Sequence, residues 1–218
     1  MDNDIKRIVL WSAAAVAIIG GFLALIFLAG SPGESSLGPI PPVTANEWIR
    51  GNKDSKVELV EYSDFQCPAC AAREPLVTKI LGEFSTHIKF VYREFPLRSI
   101  HKNSQIAAQA GEAAGMQNKF WEMHDNLFEN QTAWSPQSKD ELINTLADYA
   151  GQLGLDVEQF KKDLESDAAE EAVNEDYDGG DEAGVNATPT FFLNGKQINP
   201  GSYEDFRELI RAAIESAA

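Results

Sequence analysis

The feature that most constrains this 218-residue chain is its cysteine content: it has two cysteines, and both lie in the segment Cys67-Pro68-Ala69-Cys70. No disulfide can therefore link distant parts of the chain, so a hydrophobic core must hold the fold together, and 44% of the residues are hydrophobic. A Cys-x-x-Cys pair that opens a helix can carry out thiol–disulfide exchange. Half of a metal site and two unreactive buried cysteines are the alternative interpretations.

The positions of the two cysteines predict different roles for them. Proline is tolerated in the first turn of a helix, so Pro68 favours a helix over residues 67–81. Cys67 then meets unpaired backbone N–H groups and the positive end of the helix dipole, both of which favour its thiolate. Cys70 lies one turn later and is expected to be more buried. We therefore predict that Cys67 is the exposed cysteine that attacks and that Cys70 resolves the mixed disulfide.

A metal or a bound cofactor is not expected. Zinc normally takes four ligands, and this chain has no second cysteine pair. The three histidines, His87, His101 and His124, are scattered, and we interpret each as structural. Since there is no flavin or quinone motif, the expected redox group is the Cys67–Cys70 disulfide itself.

The N-terminal segment predicts attachment to a membrane. Residues 8–29 form an uncharged run of 22 residues, and a helix of that length reaches about 33 Å, enough to cross a bilayer core. Lys6 and Arg7 precede the run, so the rest of the chain should lie outside the cytoplasm, in the periplasm or at the cell surface. A cleaved signal peptide is the alternative. Residues 31–44 are rich in proline, glycine and serine, which predicts an extended linker.

The charge of the chain limits its partners. The formal net charge is −16. A surface this acidic repels phosphate backbones, so nucleic acid is not expected to bind.

The pattern of apolar residues predicts an α/β domain over residues 45–218. Strands, helices and turn signals follow in an order that fits a βαβ unit, a helical block at about 102–178, a hairpin and a closing helix. The strands are predicted at 57–62, 88–92, 190–193 and 196–198, and Asn194-Gly195 is predicted to form the turn of the hairpin. A last helix is predicted at 203–214, and its apolar face carries Phe206, Leu209, Ile210 and Ile214.

Polar residues predict several helix ends. Thr44 and Glu47 have the spacing of a capping box, which predicts a short helix ending at Gly51. Ser138 with Glu141, and Asp156, predict two further helix starts. Residues 165–182 carry nine acidic residues and no basic residue, interrupted by Gly179 and Gly180. We interpret this segment as a solvated helix end, with a surface that binds a partner or an ion as the alternative.

Four segments resemble the DsbA family of thiol–disulfide oxidoreductases. The first is residues 61–70, Glu-Tyr-Ser-Asp-Phe-Gln-Cys-Pro-Ala-Cys. Residues 92–97, 113–124 and 187–195 resemble the family's next strand, its inserted helices and its cis-proline loop, in the family's order. The resemblance implies a thioredoxin-like α/β fold with an inserted helical domain, here preceded by a single transmembrane helix as in the membrane-bound members.

The resemblance also implies roles for individual residues. Pro189 should follow a cis peptide bond and face the disulfide, so that the backbone of Thr188 can pair with an extended peptide, with Pro68 and Ala69 also in contact with the substrate. Glu61 should lie beneath the cysteines and exchange a proton with Cys70. The alternatives are an ordinary trans proline and a solvated glutamate at a strand end.

The expected function is oxidation of thiols in exported proteins, with a membrane redox partner that restores the disulfide. DsbA itself has histidine where this chain has Ala69, so we expect the pKa of Cys67 to lie between about 3.5 and 7. This departure, together with Thr188, leaves a reductase or an isomerase as the first alternative. A holdase or an assembly module, in which the cysteines are incidental, is the second.

Overall fold

The computed structural model describes residues 37–217, together with Trp11. The predicted anchor at 8–29 and most of the predicted linker lie outside this described part of the chain. None of the described helices is both long and apolar enough to cross a membrane.

Five strands and eight helices make up the described domain. In chain order they are β1 (Trp48–Gly51), β2 (Glu58–Ser63), α1 (Pro68–Phe84), β3 (Lys89–Glu94), α2 (Ser104–Gly115), α3 (Phe120–Glu129), α4 (Gln131–Trp134), α5 (Lys139–Gln152), α6 (Val157–Leu164), α7 (Asp167–Glu182), β4 (Thr190–Leu193), β5 (Lys196–Ile198) and α8 (Tyr203–Ala217). The predicted α/β order with a helical insertion is therefore present, and the insertion runs from Ser104 to Glu182.

The strands form one sheet with the order β1-β3-β2-β4-β5. β2 and β3 are parallel, and the helix α1 connects them, whereas the other three pairs of neighbours are antiparallel. Asn194 and Gly195 both have positive φ angles, 50° and 75°, as a two-residue hairpin turn requires. The two central strands are buried on both faces, so each face of the sheet has its own apolar cluster.

One prediction from the sequence is wrong: no helix follows Thr44. The backbone N–H of Thr44 does donate to the Glu47 carboxylate, at 2.8 Å, as in a capping box. The chain then extends into β1, because Trp48 pairs with β3 and stacks on Phe120 at a ring-centroid distance of 4.6 Å. Tertiary packing therefore overrides a local helix signal, while the capping box at Ser138 and the cap at Asp156 are formed as predicted.

The acidic segment is a continuous helix, α7, and the two glycines do not interrupt it. Both glycines are buried, and a side chain at either position would collide with Pro41 or with the rings of Phe95 and Tyr62. The glycines therefore allow close packing of α7. In the last helix, Leu209 is exposed, unlike the other residues predicted on its apolar face.

Candidate active site

The two cysteines lie where the central sheet meets the start of α1. Cys67 is the N-cap of α1, and Pro68 occupies its first turn, where its missing N–H costs nothing. Cys67 is 6% exposed and Cys70 is 1% exposed, so Cys70 is the more buried of the two as predicted. The prediction that Cys67 is exposed is wrong, because the loop before β4 packs against its sulfur. Pro68 and Ala69, between the two cysteines, are exposed. A partner thus reaches the pair over these two residues.

The surroundings of the two thiols move their pKa values in opposite directions. A hydrogen bond from the Cys70 thiol is the main reason that the pKa of Cys67 falls to about 5, against the opposing effect of burial. The Thr188 side chain and the backbone N–H groups of Cys70 and Ala69 lower the same pKa further. Burial, followed by the contact with Cys67 and the nearby Glu61, raises the pKa of Cys70 well above its usual range. Cys67 is therefore a thiolate at neutral pH, and Cys70 holds its proton.

The loop before β4 faces the cysteines. The Thr188–Pro189 peptide bond is cis, and the Thr188 carbonyl oxygen lies 3.5 Å from the Cys67 sulfur. A cleft of about 270 Å³ opens beside this contact, and Ala69, Arg73 and Pro189 are among its lining residues. This arrangement places an open cleft next to the reactive sulfur atom.

Glu61 lies inside the domain, on β2, and is 1% exposed. Burial, followed by the charge of Glu74, raises its pKa well above the usual value of a carboxyl group. One of its oxygens, Oε2, has no hydrogen-bond partner among the described residues. The charge of Glu61 in turn contributes to the raised pKa of Cys70, so this carboxyl group lies close to the buried thiol. Since Glu61 is buried, the interpretation as a solvated glutamate is wrong.

Two glutamines that the sequence analysis missed connect the active-site loop to the helical insertion. The amide of Gln131 donates to the carbonyl oxygens of Phe65 and Cys67, at 2.7 and 2.9 Å. The amide of Gln66 donates to Ser135, and its oxygen accepts from the backbone N–H of Asn103. Because Gln131 is 64 residues from Cys67 in the chain, no local pattern could have indicated this contact.

The histidines do not form a common site. His87 is exposed, and His101 pairs with the buried Asp64 at 2.7 Å, next to the active-site loop. His124 is buried and contacts Asp125 at 2.9 Å.

Among the described residues, Glu74, His124 and Asp125 bring potential ligand atoms within 4.8 Å of one another. Asp125 is already paired with Arg50 at 2.8 Å, so a cation there would have to compete with a guanidinium group.

Comparison with known proteins agrees with this geometry. The family model described as Thioredoxin matches residues 44–212. The solved structure of BdbD from Bacillus subtilis is similar, with 26% identity and a TM-score of 0.72, over 83% of this chain and all of that one. Alpha-DsbA1 from Wolbachia pipientis has 17% identity and a TM-score of 0.69, over 80% and 94% of the two chains, and shows the fold alone.

A curated relative is named as an antiporter, unlike the solved structures above. The Na(+)/H(+) antiporter NhaA 1 of Salinispora arenicola is 40% identical over 178 residues, which is 82% of this chain. The chain spans about a quarter of the length of that relative, 26%.

Proposed function

This chain belongs to the thioredoxin family, with the fold of DsbA proteins, and from that membership we propose that it oxidises pairs of thiols in other proteins by disulfide exchange. The exchange runs through Cys67 and Cys70. A substrate thiolate attacks the Cys67 sulfur, the Cys67–Cys70 bond breaks, and Cys70 leaves as a thiolate. A second substrate thiolate then attacks the mixed disulfide, so that the substrate gains a disulfide and the protein is left with two reduced cysteines.

The position of Cys67 at the N-cap of α1, in contact with the Cys70 thiol and helix N–H groups, carries the direction of this reaction, because these contacts lower the pKa of Cys67 to about 5. A dithiol whose attacking sulfur is a stable thiolate is more stable in its reduced form, and the corresponding disulfide is therefore a better oxidant. The hydrogen bond from Cys70 and the helix N–H groups supply this stabilisation here without a histidine between the cysteines. In thioredoxin the attacking thiolate is less stabilised, with a pKa of about 7.

Glu61 is proposed to supply the proton that the departing Cys70 needs. Burial, followed by the charge of Glu74, raises its pKa well above the usual value of a carboxyl group, which favours the protonated form that a proton donor needs. Cys70 has a strongly raised pKa and cannot remain a buried thiolate. Transfer of the Glu61 proton to Cys70 therefore leaves a Cys70 thiol and a Glu61 carboxylate. The negative charge then lies on the carboxyl group, which is a stronger acid than the thiol.

The substrates are proposed to be thiol-containing exported proteins, and Thr188, Pro189, Pro68 and Ala69 are proposed to contact them. The uncharged run at 8–29 would anchor the domain, with Lys6 and Arg7 on the cytoplasmic side. A membrane redox partner would restore the disulfide after each cycle. No cofactor or metal is included in this scheme.

Sodium–proton antiport is not proposed for this chain. The relative with that name matches over about a quarter of its own length, and the match covers 82% of this chain, so it includes most of the thioredoxin domain at 44–212.

Oxidation of a reduced two-cysteine peptide tests the proposal. The oxidised protein should convert one equivalent of peptide to its disulfide, and Cys67→Ser should convert none. In cells, Cys70→Ala should accumulate mixed disulfides that appear as high-mass bands on non-reducing gels. Peptide oxidation by Cys67→Ser, or equal trapping by Cys67→Ala, would contradict the assigned roles.

A further inference from the structure

A buried hydroxyl group lies next to Glu61 on the same face of β2. Ser63 is fully buried at the end of β2, with 0% exposure. Residues 61 and 63 point to the same face of the strand, because side chains alternate along β2. On the parallel neighbour β3, Tyr92 is in register with Glu61, and Glu94 is in register with Ser63. Leu59 and Tyr92, which share this face, belong to the core cluster that contains Cys70, so Ser63 lies on the face of the sheet that packs against Cys70.

No hydrogen bond to a described residue holds the Ser63 hydroxyl in one orientation. Its Oγ atom makes no hydrogen bond to any described residue, and the same is true of Glu61 Oε2 and the Tyr92 hydroxyl. A buried polar atom without a partner costs about 1–3 kcal/mol, so three of them on two adjacent strands need an explanation. If Ser63 served only to fill space in the core, an apolar side chain of similar size could do so without burying an oxygen atom.

The Ser63 hydroxyl can nevertheless form a hydrogen bond with each of its polar neighbours in turn. As a donor to their charged forms, it lowers the pKa values of Glu61, Cys70 and Tyr92, each of which burial raises more strongly. A single hydroxyl has one proton and can donate to one neighbour at a time, while its lone pairs remain free to accept. Because rotation about one bond moves that proton between them, Ser63 can accept from Glu61 while it donates to Cys70.

We propose that Ser63 is a catalytic residue that relays the proton between the Glu61 carboxyl group and the Cys70 sulfur. As a thiolate attacks Cys67, the Cys67–Cys70 bond breaks and its electron pair goes to the Cys70 sulfur. The Ser63 hydroxyl gives its proton to that sulfur and takes the Glu61 proton in exchange, which leaves a Glu61 carboxylate, a Cys70 thiol and an intact serine. The reverse transfer activates Cys70 when it attacks a mixed disulfide. This inference rests on the proposed function of Cys67, Cys70 and Glu61.

The test measures how fast glutathione reduces the oxidised protein, by acid quenching, alkylation and mass spectrometry. Ser63→Ala should slow the step at least about tenfold, because removal of a positioned proton donor typically costs more than that. Ser63→Thr retains the hydroxyl and should stay within about threefold of the original rate. Ser166→Ala, which removes a hydroxyl group at the start of α7, is the matched control and should leave the rate unchanged.

A double variant and an isotope measurement separate a relay from other roles. Ser63→Ala combined with Glu61→Gln should be no slower than Glu61→Gln alone, because both changes interrupt one path. In mixtures of H₂O and D₂O, the unmodified protein should give a curved dependence of rate on deuterium content, since two protons move together.

Several results would overturn the relay. One is a reduction rate for Ser63→Ala within about twofold of the original rate, and another is a rate for Ser63→Thr as low as that for Ser63→Ala. The others are a double variant in which the effects of the two single changes multiply, and a rate that depends linearly on the deuterium content. If Glu61→Gln alone has no effect, the relay and the role of Glu61 both fall, while exchange by Cys67 and Cys70 stands. Retained peptide oxidation by Cys67→Ser would instead reject the proposed function itself.

Discussion

The two faces of the central strands β2 and β3 both bury polar side chains, and they differ in how those side chains are paired. On one face, the Arg93 guanidinium donates to Glu47, to the Tyr62 hydroxyl at 2.8 Å and to the Pro41 carbonyl. We call this the paired face.

The opposite face, which we call the active-site face, carries Glu61, Ser63, Tyr92 and Glu94. Each of these four residues has at least one buried side-chain oxygen without a partner among the described residues. Burial raises the pKa values of Glu61, Tyr92 and Glu94. The two faces therefore differ in pairing: polar groups on the paired face hold one another in place, whereas the active-site face includes the groups that are proposed to exchange a proton.

The largest effect is expected from Arg93→Met on the paired face. Removal of the guanidinium leaves the Glu47 carboxylate and the Tyr62 hydroxyl without their partner, which should cost about 3–5 kcal/mol of unfolding free energy. The exchange rate of the folded fraction should not change. Urea unfolding measures the stability, and adding Glu47→Leu should recover part of the loss. A change below about 1 kcal/mol, or an altered Cys67 pKa, would contradict the division between the faces.

A smaller effect is expected from the pH dependence of stability. Burial raises the pKa of Glu112 to about 8 from 4.5, against a hydrogen bond from Trp48, and burial raises that of Asp176 to about 7. The folded state thus holds protons that the unfolded state releases. The resulting stability is fully present below about pH 4.5 and is lost as the pH rises towards about 8, by up to about 3.5 kcal/mol for Glu112 between pH 5 and pH 8.

Glu112→Gln should remove part of this slope, since the amide oxygen can still accept from Trp48. Unfolding in urea at pH 5 and pH 8 measures the difference. Glu208→Gln, at an exposed position on α8, is the matched control and should retain the original slope. Stability that rises between these two pH values would show that the buried acids are ionised in the folded protein.

The smallest effect is expected from Ala69→His, at the exposed position between the cysteines. A cationic imidazole should lower the pKa of Cys67 and make the reduction potential more positive, by about 30 mV for each unit of pKa if the effect is fully expressed. Thiolate absorbance against pH and glutathione equilibrium measure the two quantities. An unchanged or more negative potential would mean that the contacts of Cys67 with Cys70 and the helix N–H groups already determine the balance.

Elements and residues that depend on local sequence signals could be predicted from the sequence. The Cys-x-x-Cys pair with Pro68, the Asn194-Gly195 turn and the cap at Ser138 all act within a few residues, and all are present. The period of two along β2 places Glu61 and Ser63 on one face, so Ser63 could have been identified from its distance to Glu61.

Contacts between distant segments could not be predicted. Trp48 lies in a strand because it packs on Phe120, 72 residues later, and this contact overrides the helix signal at Thr44. Gln131 reaches the active-site loop across 64 residues. A single sequence shows no trace of such pairs, because each partner alone is an ordinary polar or aromatic residue.

The reduction potential of the Cys67–Cys70 pair tests the central claim most directly. Equilibration of the protein with known ratios of reduced and oxidised glutathione gives this value, and alkylation followed by mass spectrometry counts the free thiols. Because the Cys67 thiolate is stabilised, we expect a potential clearly more positive than the value of about −270 mV typical of thioredoxin. A potential at or below that value would contradict an oxidase and would assign the same two cysteines to a reductase.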